Sequence, residues 1–122
     1  MVLLDTNVFI YLANGTLAAD VLGGEEIAFA SITRIEALGF GQITVAEQNY
    51  LEELFEECEQ LDLQEAVIRR AIKLRQLSKM TLGDAIIAAT SLVYELELWT
   101  ANTKDFSAVE GLDVRNPIKA TE

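Results

Sequence analysis

Residues 2–12 read VLLDTNVFIYL, and the change of pattern inside this stretch sets the fold. VLL is a short unbroken apolar run, suited to a strand buried on both faces. Asp5 ends it, Thr6 or Asn7 follows as helix N-cap, and NVFIYLANG then makes a short helix stopped by Asn14-Gly15. The same alternation continues along the chain. Residues 17–22 form a short helix ended by Gly23-Gly24, and IAFAS (27–31) is a second buried strand. A helix runs from Thr33 to Leu38 and is interrupted by Gly39-Phe40-Gly41. Residues 45–57 are an amphipathic helix carrying Leu51, Leu54 and Phe55, Leu61–Leu63 a weak third strand, and Gln64–Ser78 a helix with Val67, Ala71 and Leu74 on one side. TLGDAIIAAT (81–90) opens an oily helix over Leu82–Glu95; LELWTA (96–101) is a strand, Asn102–Phe106 a helical turn, and Val114 begins a last short strand before Pro117. Apolar strands alternating with helices predict a parallel sheet covered on both faces, one α/β domain over residues 1–122.

Composition excludes several chemistries. There is no histidine, which removes Ser-His-Asp triads and imidazole acid–base catalysis. The single cysteine, Cys58, allows no internal disulfide and no Cys-rich zinc site; it reads as a small half-buried residue of a cytoplasmic protein. The amino-terminal stretch lacks the basic n-region of a signal peptide, and no uncharged apolar run reaches the ~18 residues of a membrane span. Net charge is −11, a long-range repulsion toward nucleic acid. The charge is uneven: residues 47–65 hold eight acids and no base, whereas Arg69, Arg70, Lys73, Arg75 and Lys79 gather five of the nine basic residues just ahead of Asp84.

Four acids stand where a parallel sheet collects its ligands. Asp5 closes the first strand, Glu36 lies on the helix after the second, and Asp105 follows the strand around Trp99 by one turn. All strand-to-helix junctions of such a sheet share its carboxyl edge. Asp84 opens a helix running back toward the amino end of a strand, so its first turn belongs to that edge too. Singly, each acid has a structural reading. Thr33-x-x-Glu36, Thr81-x-x-Asp84 and Asn102-x-x-Asp105 fit the capping box, and Asp5 fits a turn. Capping gives no reason for four of them to converge. A divalent cation does, because Mg²⁺ and Mn²⁺ take oxygen ligands. Carboxylate-held metal supports phosphodiester hydrolysis without histidine.

LLDTNVFIYL, SITRIE, TLGDAIIAATSL and LWTANTKDF occur in that order and spacing in PIN-domain ribonucleases, and the chain most resembles the VapC-type toxins of bacterial toxin–antitoxin pairs, from Leu3 to Phe106. The resemblance implies a three-layer α/β/α sandwich around the parallel sheet and an endoribonuclease using Mg²⁺ or Mn²⁺. The family's acids fall on Asp5, Glu36, Asp84 and Asp105. Asp5 and Asp84 would be primary ligands, Glu36 a ligand or the positioner of the attacking water, and Asp105 the completion of a second metal position. Helper groups fall on Thr6, Asn7, Thr100 or Asn102. A homodimer is implied, as is a cognate antitoxin whose tail enters the acidic site, often with an arginine. Two positions depart from the pattern: Gly83 stands where proline is frequent, and Glu95-Leu96-Glu97 lacks the glycine that usually ends the preceding helix.

The position of the basic stretch suggests that Arg69, Arg70, Lys73 and Lys79 hold the RNA backbone. The alternatives are a receiver-like signalling module, which needs an acidic pair after strand one and an aspartate closing strand three, and a catalytically inactive PIN-fold binding protein. Trp99 and Phe106 read as core. Tyr50, Leu51, Leu54 and Phe55 face either the core or a dimer partner.

Overall fold

Five short strands, all parallel, order the chain. The computed structural model describes residues 1–118. β1 (Val2–Leu4) leads into α1 (Thr6–Ala13) and a 3₁₀ turn at Ala19–Leu22; β2 (Ile27–Ala30) passes straight into α2 (Ser31–Leu38), followed by α3 (Val45–Glu57). β3 (Glu59–Leu61), α4 (Glu65–Leu77), α5 (Leu82–Tyr94), β4 (Glu97–Trp99), a 3₁₀ turn at Thr103–Phe106 and β5 (Val114–Arg115) complete the fold. The strand order is β3-β2-β1-β4-β5. Order reverses between β1 and β4, where Leu4 pairs with Trp99. Receiver modules follow the order 2-1-3-4-5, so this topology removes that alternative.

The period-2 alternation of the strands sorts the core into two layers. Val2, Leu4, Phe29 and Trp99 face Val8, Phe9 and Leu12 of α1 and Leu51 and Phe55 of α3. Phe9, Phe29 and Phe55 pack ring to ring with centroids 4.6–5.8 Å apart. Leu3, Ala28, Ala30, Leu61 and Leu98 face Val67 and Leu74 of α4, the Ala85–Ala89 run of α5, and Phe106. The result is the three-layer α/β/α sandwich. Trp99 and Phe106 are core, as are Leu51 and Phe55; Tyr50 lies at the surface. Cys58 is half-buried, and burial pushes its thiol up to about 11.

Three local expectations are corrected. The third strand lies at Glu59–Leu61, two residues before the Leu61–Leu63 expectation. Pairing with β2 sets it, with Leu61 opposite Ala30 and buried while Leu63 is exposed. Helix α1 is capped by Asp5 itself, whose side chain accepts from the Thr6 amide, and not by Thr6 or Asn7. The Thr33-x-x-Glu36 and Asn102-x-x-Asp105 boxes do not form. α2 begins two residues earlier at Ser31 behind the uncapping Ala30, and Asn102 makes no side-chain cap. The full capping box is at Thr44 and Glu47, and Thr81 caps α5 by accepting from the Asp84 amide.

Candidate active site

β1 and β4 end side by side at the reversal of strand order, and their last residues lock together. Asp5 is 5% exposed and Thr100 is fully buried. The Thr100 hydroxyl donates to Asp5 Oδ2 at 2.7 Å, and the Thr6 amide donates to Oδ1 at 2.8 Å. Thr100 Oγ1 in turn accepts from Asn7 Nδ2 (3.4 Å) and the Asn102 amide (3.0 Å), which satisfies the hydroxyl completely. Asn7 Oδ1 accepts from the Ala101 amide at 3.3 Å, tying α1 to the loop after β4. Asn102 enters this network through its backbone only.

A second group hangs from α1 and α2. Thr6 Oγ1 donates to Glu36 Oε1 at 2.7 Å and stands 3.1 Å from the buried Thr33 Oγ1. Glu36 therefore points away from its own helix terminus and toward α5. There it meets Gly83, where an added Cβ would stand 2.6 Å from Glu36 Oε2. The departure from proline at this position thus has a steric partner: any residue with a Cβ would crowd the Glu36 carboxylate. Asp84, next along α5, lines a cavity of about 390 Å³ with Lys79, Thr81, Lys104 and Asp105.

The four acids share one field. Burial raises the Asp5 carboxyl from 3.8 to about 6; hydrogen bonds from Thr100 and the Thr6 amide oppose the rise, and the charges of Asp84 and Glu36 add to it. Burial also raises Asp84, reinforced by Asp105 and Glu36 and opposed by the Thr81 contact. Asp84 is thus brought within electrostatic reach of Asp5, Glu36 and Asp105, and Asp5 within reach of Glu36, across a hundred residues of chain. Among the described residues the ion pairs are Met1 amine–Glu25 and Arg69–Glu65, so none of the four acids is in one. Nor, among those residues, do three or more acids stand close enough together to hold a metal ion as they are placed. The donors are all hard oxygens, a set suited to Mg²⁺ or Mn²⁺ and unsuited to zinc.

The basic residues divide. Lys79 lines the cavity of Asp84 and Asp105, whereas Arg69, Arg70 and Lys73 line a separate surface cavity on α4 with Ile72 and Gln76. Arg69 is engaged with Glu65 at 3.0 Å. Sequence reasoning missed Lys104 and the site roles of Thr33 and Gly83. The signal for Lys104 was present, because it directly precedes Asp105 in TKDF. Thr33 and Gly83 act through packing across elements, which spacing along the chain does not reveal.

An acid-lined crevice outside the carboxyl ends of a parallel sheet, at its reversal of strand order, is where doubly wound α/β proteins act on ligands. The chain belongs to the PIN-domain family, whose PIN domain matches residues 2–112. It is similar to a chain of a toxin–antitoxin complex from Klebsiella pneumoniae, at 31% identity and TM-score 0.81, covering 96% of this chain and 98% of that one. A chain of VapBC2 from Rickettsia felis, bound to a DNA fragment from its promoter, shares the fold at 21% identity and TM-score 0.79, over 95% and 98% of the two chains. VapBC-1 from nontypeable Haemophilus influenzae does so at 22% and 0.78, over 97% and 99%. Among curated proteins none matches. The resemblance to VapC-type PIN proteins read from the four sequence blocks is borne out.

Proposed function

We propose that this chain is a metal-dependent endoribonuclease, the toxin of a toxin–antitoxin pair. The observation that carries the reading is the gathering of four carboxylates, none of them in an ion pair among the described residues, from β1, α2, α5 and the turn after β4. Unpaired acids in mutual repulsion cost stability, and a divalent cation is the group that would offset the cost. Asp5, Asp84 and Asp105 would hold Mg²⁺ or Mn²⁺, which when bound polarises a scissile phosphate and acidifies the attacking water. Thr100 fixes Asp5 in rotation, with Asn7 and the Asn102 amide fixing Thr100 in turn. Thr6 aims Glu36, which orients the attacking water and takes its proton. Thr81 keeps the first turn of α5 wound, so that Asp84 projects into the cavity.

The solved toxin–antitoxin complexes of this fold support a protein antitoxin as partner. The homodimer is proposed on the resemblance to VapC-type toxins, with the exposed Ile35, Val45 and Leu77 as candidates for its seam. Among the described residues no helix is long and apolar enough to cross a membrane, and one unbridged cysteine suits the cytoplasm.

The test is cleavage of a single-stranded RNA by the purified chain. Cleavage with Mn²⁺, abolished by EDTA and in Asp5→Asn and Asp84→Ala, is the expected result. Cleavage that persists in EDTA, or that Asp84→Ala leaves intact, overturns the reading. RNA binding without cleavage in any divalent metal would instead favour the inactive PIN-fold binding protein.

A further inference from the structure

We infer that Lys79 and Lys104 together form the phosphate-holding clamp of this site, and that the α4 face carrying Arg69, Arg70 and Lys73 is not part of it. The inference rests on the nuclease reading and names how the substrate is held. A chain of net charge −11 repels a polyanion, so a phosphate brought beside four acids needs fixed positive charge at the same spot. Five of the other basic groups are engaged or placed elsewhere. Arg34 donates to Gln60 at 3.1 Å, Arg69 pairs with Glu65, and the Arg115 guanidinium sits 4.8 Å over the Trp99 ring. Arg70 and Lys73 line the separate cavity on α4.

Lys79 and Lys104 differ from all of these. They come from two elements, the turn between α4 and α5 and the 3₁₀ turn after β4, and they meet in the cavity that Asp84 and Asp105 line. Each arrives with its acid on the same short stretch: Lys79 five residues before Asp84, Lys104 directly before Asp105. Both are exposed, and among the described residues neither forms an ion pair. Two ammonium groups and two carboxylates, none of them in an ion pair among the described residues, make a site with opposite preferences side by side. The acids would select a cation, and the lysines the phosphate group of the substrate. Lysine suits the second task as a compact point charge with freely rotating donors.

The experiment measures binding of a fluorescent single-stranded RNA to the full chain in the Asp5→Asn background, with cleavage by the unblocked enzyme measured in parallel. Each lysine that touches a phosphate contributes about 0.7 to the slope of log affinity against log salt for a single strand. Lys79→Gln and Lys104→Gln should each lower the slope by that amount. The double variant should lose about 1.4, so that its binding escapes about sevenfold of the weakening seen between roughly 50 and 200 mM salt. Arg70→Gln with Lys73→Gln should leave the slope as it was. In the unblocked enzyme the lysine variants should raise KM more than they lower kcat. A slope unchanged in the lysine double variant, or one that falls in the α4 double variant instead, overturns the clamp while leaving the nuclease reading intact. Absence of metal-dependent cleavage with a lysine-dependent slope overturns the nuclease reading and keeps the clamp. RNA that does not bind at all overturns both.

Discussion

The two halves of the acid site are built in opposite ways. Asp5 and Glu36 are held by hydroxyls: Thr100 and the Thr6 amide on Asp5, and Thr6 Oγ1 on Glu36 with Thr33 behind it. Asp84 and Asp105 stand on a helix first turn and a 3₁₀ turn, bordering a cavity shared with two lysines. Within the first half only Asp5 is buried, preorganised at the expense of burying charge, while Glu36 is held at the surface. The second joins a half-buried Asp84 to an exposed Asp105, with no hydroxyl network among the described residues like that around Asp5. On the proposed nuclease reading, a site divided this way would keep Asp5 in register at the sheet edge while leaving the side of Asp84 and Asp105 open to a bulky polymer.

The largest effect should come from the buried Asp5. Asp5→Asn is expected to lower metal-dependent cleavage by about 10³-fold, about 4 kcal/mol of transition-state stabilisation, as expected for losing a metal ligand. It should also make the metal-free protein more stable. The rise of the Asp5 carboxyl from 3.8 to about 6 corresponds to about 3 kcal/mol of unfavourable charge burial at neutral pH. Asparagine removes that and loses one hydrogen bond, about 1 kcal/mol. A gain of about 1–2 kcal/mol in denaturant unfolding with EDTA is expected. Asp105→Asn, on the exposed turn, should lose activity with no such gain. Equal stability changes in the two variants would erase the contrast between the halves.

The same contrast predicts a pH dependence. The folded Asp5 carboxyl binds a proton up to about pH 6, the unfolded one only to about 3.8. Between these values the folded state holds more protons, so this group's contribution to stability falls as pH rises through the window and is constant above it. Asp84 is shifted in the same direction. Thermal unfolding in EDTA should therefore show the wild type losing ground to Asp5→Asn as pH goes from about 4 to about 6.5. Mg²⁺ should stabilise the wild type more at pH 7.5 than at 5, because protons compete for the same oxygens. A wild-type-minus-variant difference that is flat across the window would show that Asp5 is already ionised and solvated.

The junction between the halves is Gly83, and its expected effect is smaller. A methyl at this position would stand 2.6 Å from Glu36 Oε2, so Gly83→Ala must displace the Glu36 carboxylate. Activity should fall about tenfold, about 1.4 kcal/mol, with fold stability little changed. Shortening the acid in Gly83→Ala/Glu36→Asp should restore part of the loss relative to Glu36→Asp alone, the non-additivity of two residues in contact. Additive losses would mean that the two do not meet.

These differences also mark what could be read from the chain alone. The strand at VLL, the amphipathic helix at Val45–Glu57 and the oily helix at Leu82–Tyr94 were legible because apolar runs and helical periodicity are local. So was the gathering of Asp5, Glu36, Asp84 and Asp105, since a parallel sheet puts its strand-to-helix junctions on one edge. β3 was displaced by two residues because an edge strand with one buried side chain carries almost no hydropathy signal. The boxes at Thr33 and Asn102 failed for a different reason. A capping pattern states what a side chain can do locally, and for Thr33 and Glu36 a partner from α1 offered a better contact, one that only the fold brings near.

The far end of α5 offers the smallest test, and it uses the same helix as its own control. Glu95 caps α5 in the left-handed conformation at φ 55°, the one non-glycine residue with positive φ among those described. The glycine expected there is absent, and a left-handed residue with a Cβ costs about 1 kcal/mol. Glu95→Gly relieves that strain and gives back part of it through the greater freedom of the unfolded chain. The expected gain is about 0.5–1 kcal/mol in urea unfolding, with cleavage unchanged. The two ends of α5 would then divide cleanly: at Gly83 a Cβ costs activity and little stability, at Glu95 it costs stability and no activity. If Glu95→Gly altered cleavage, the helix would be passing strain from one end to the other, and the acid at its first turn would owe its position to more than the Thr81 cap and the Glu36 contact.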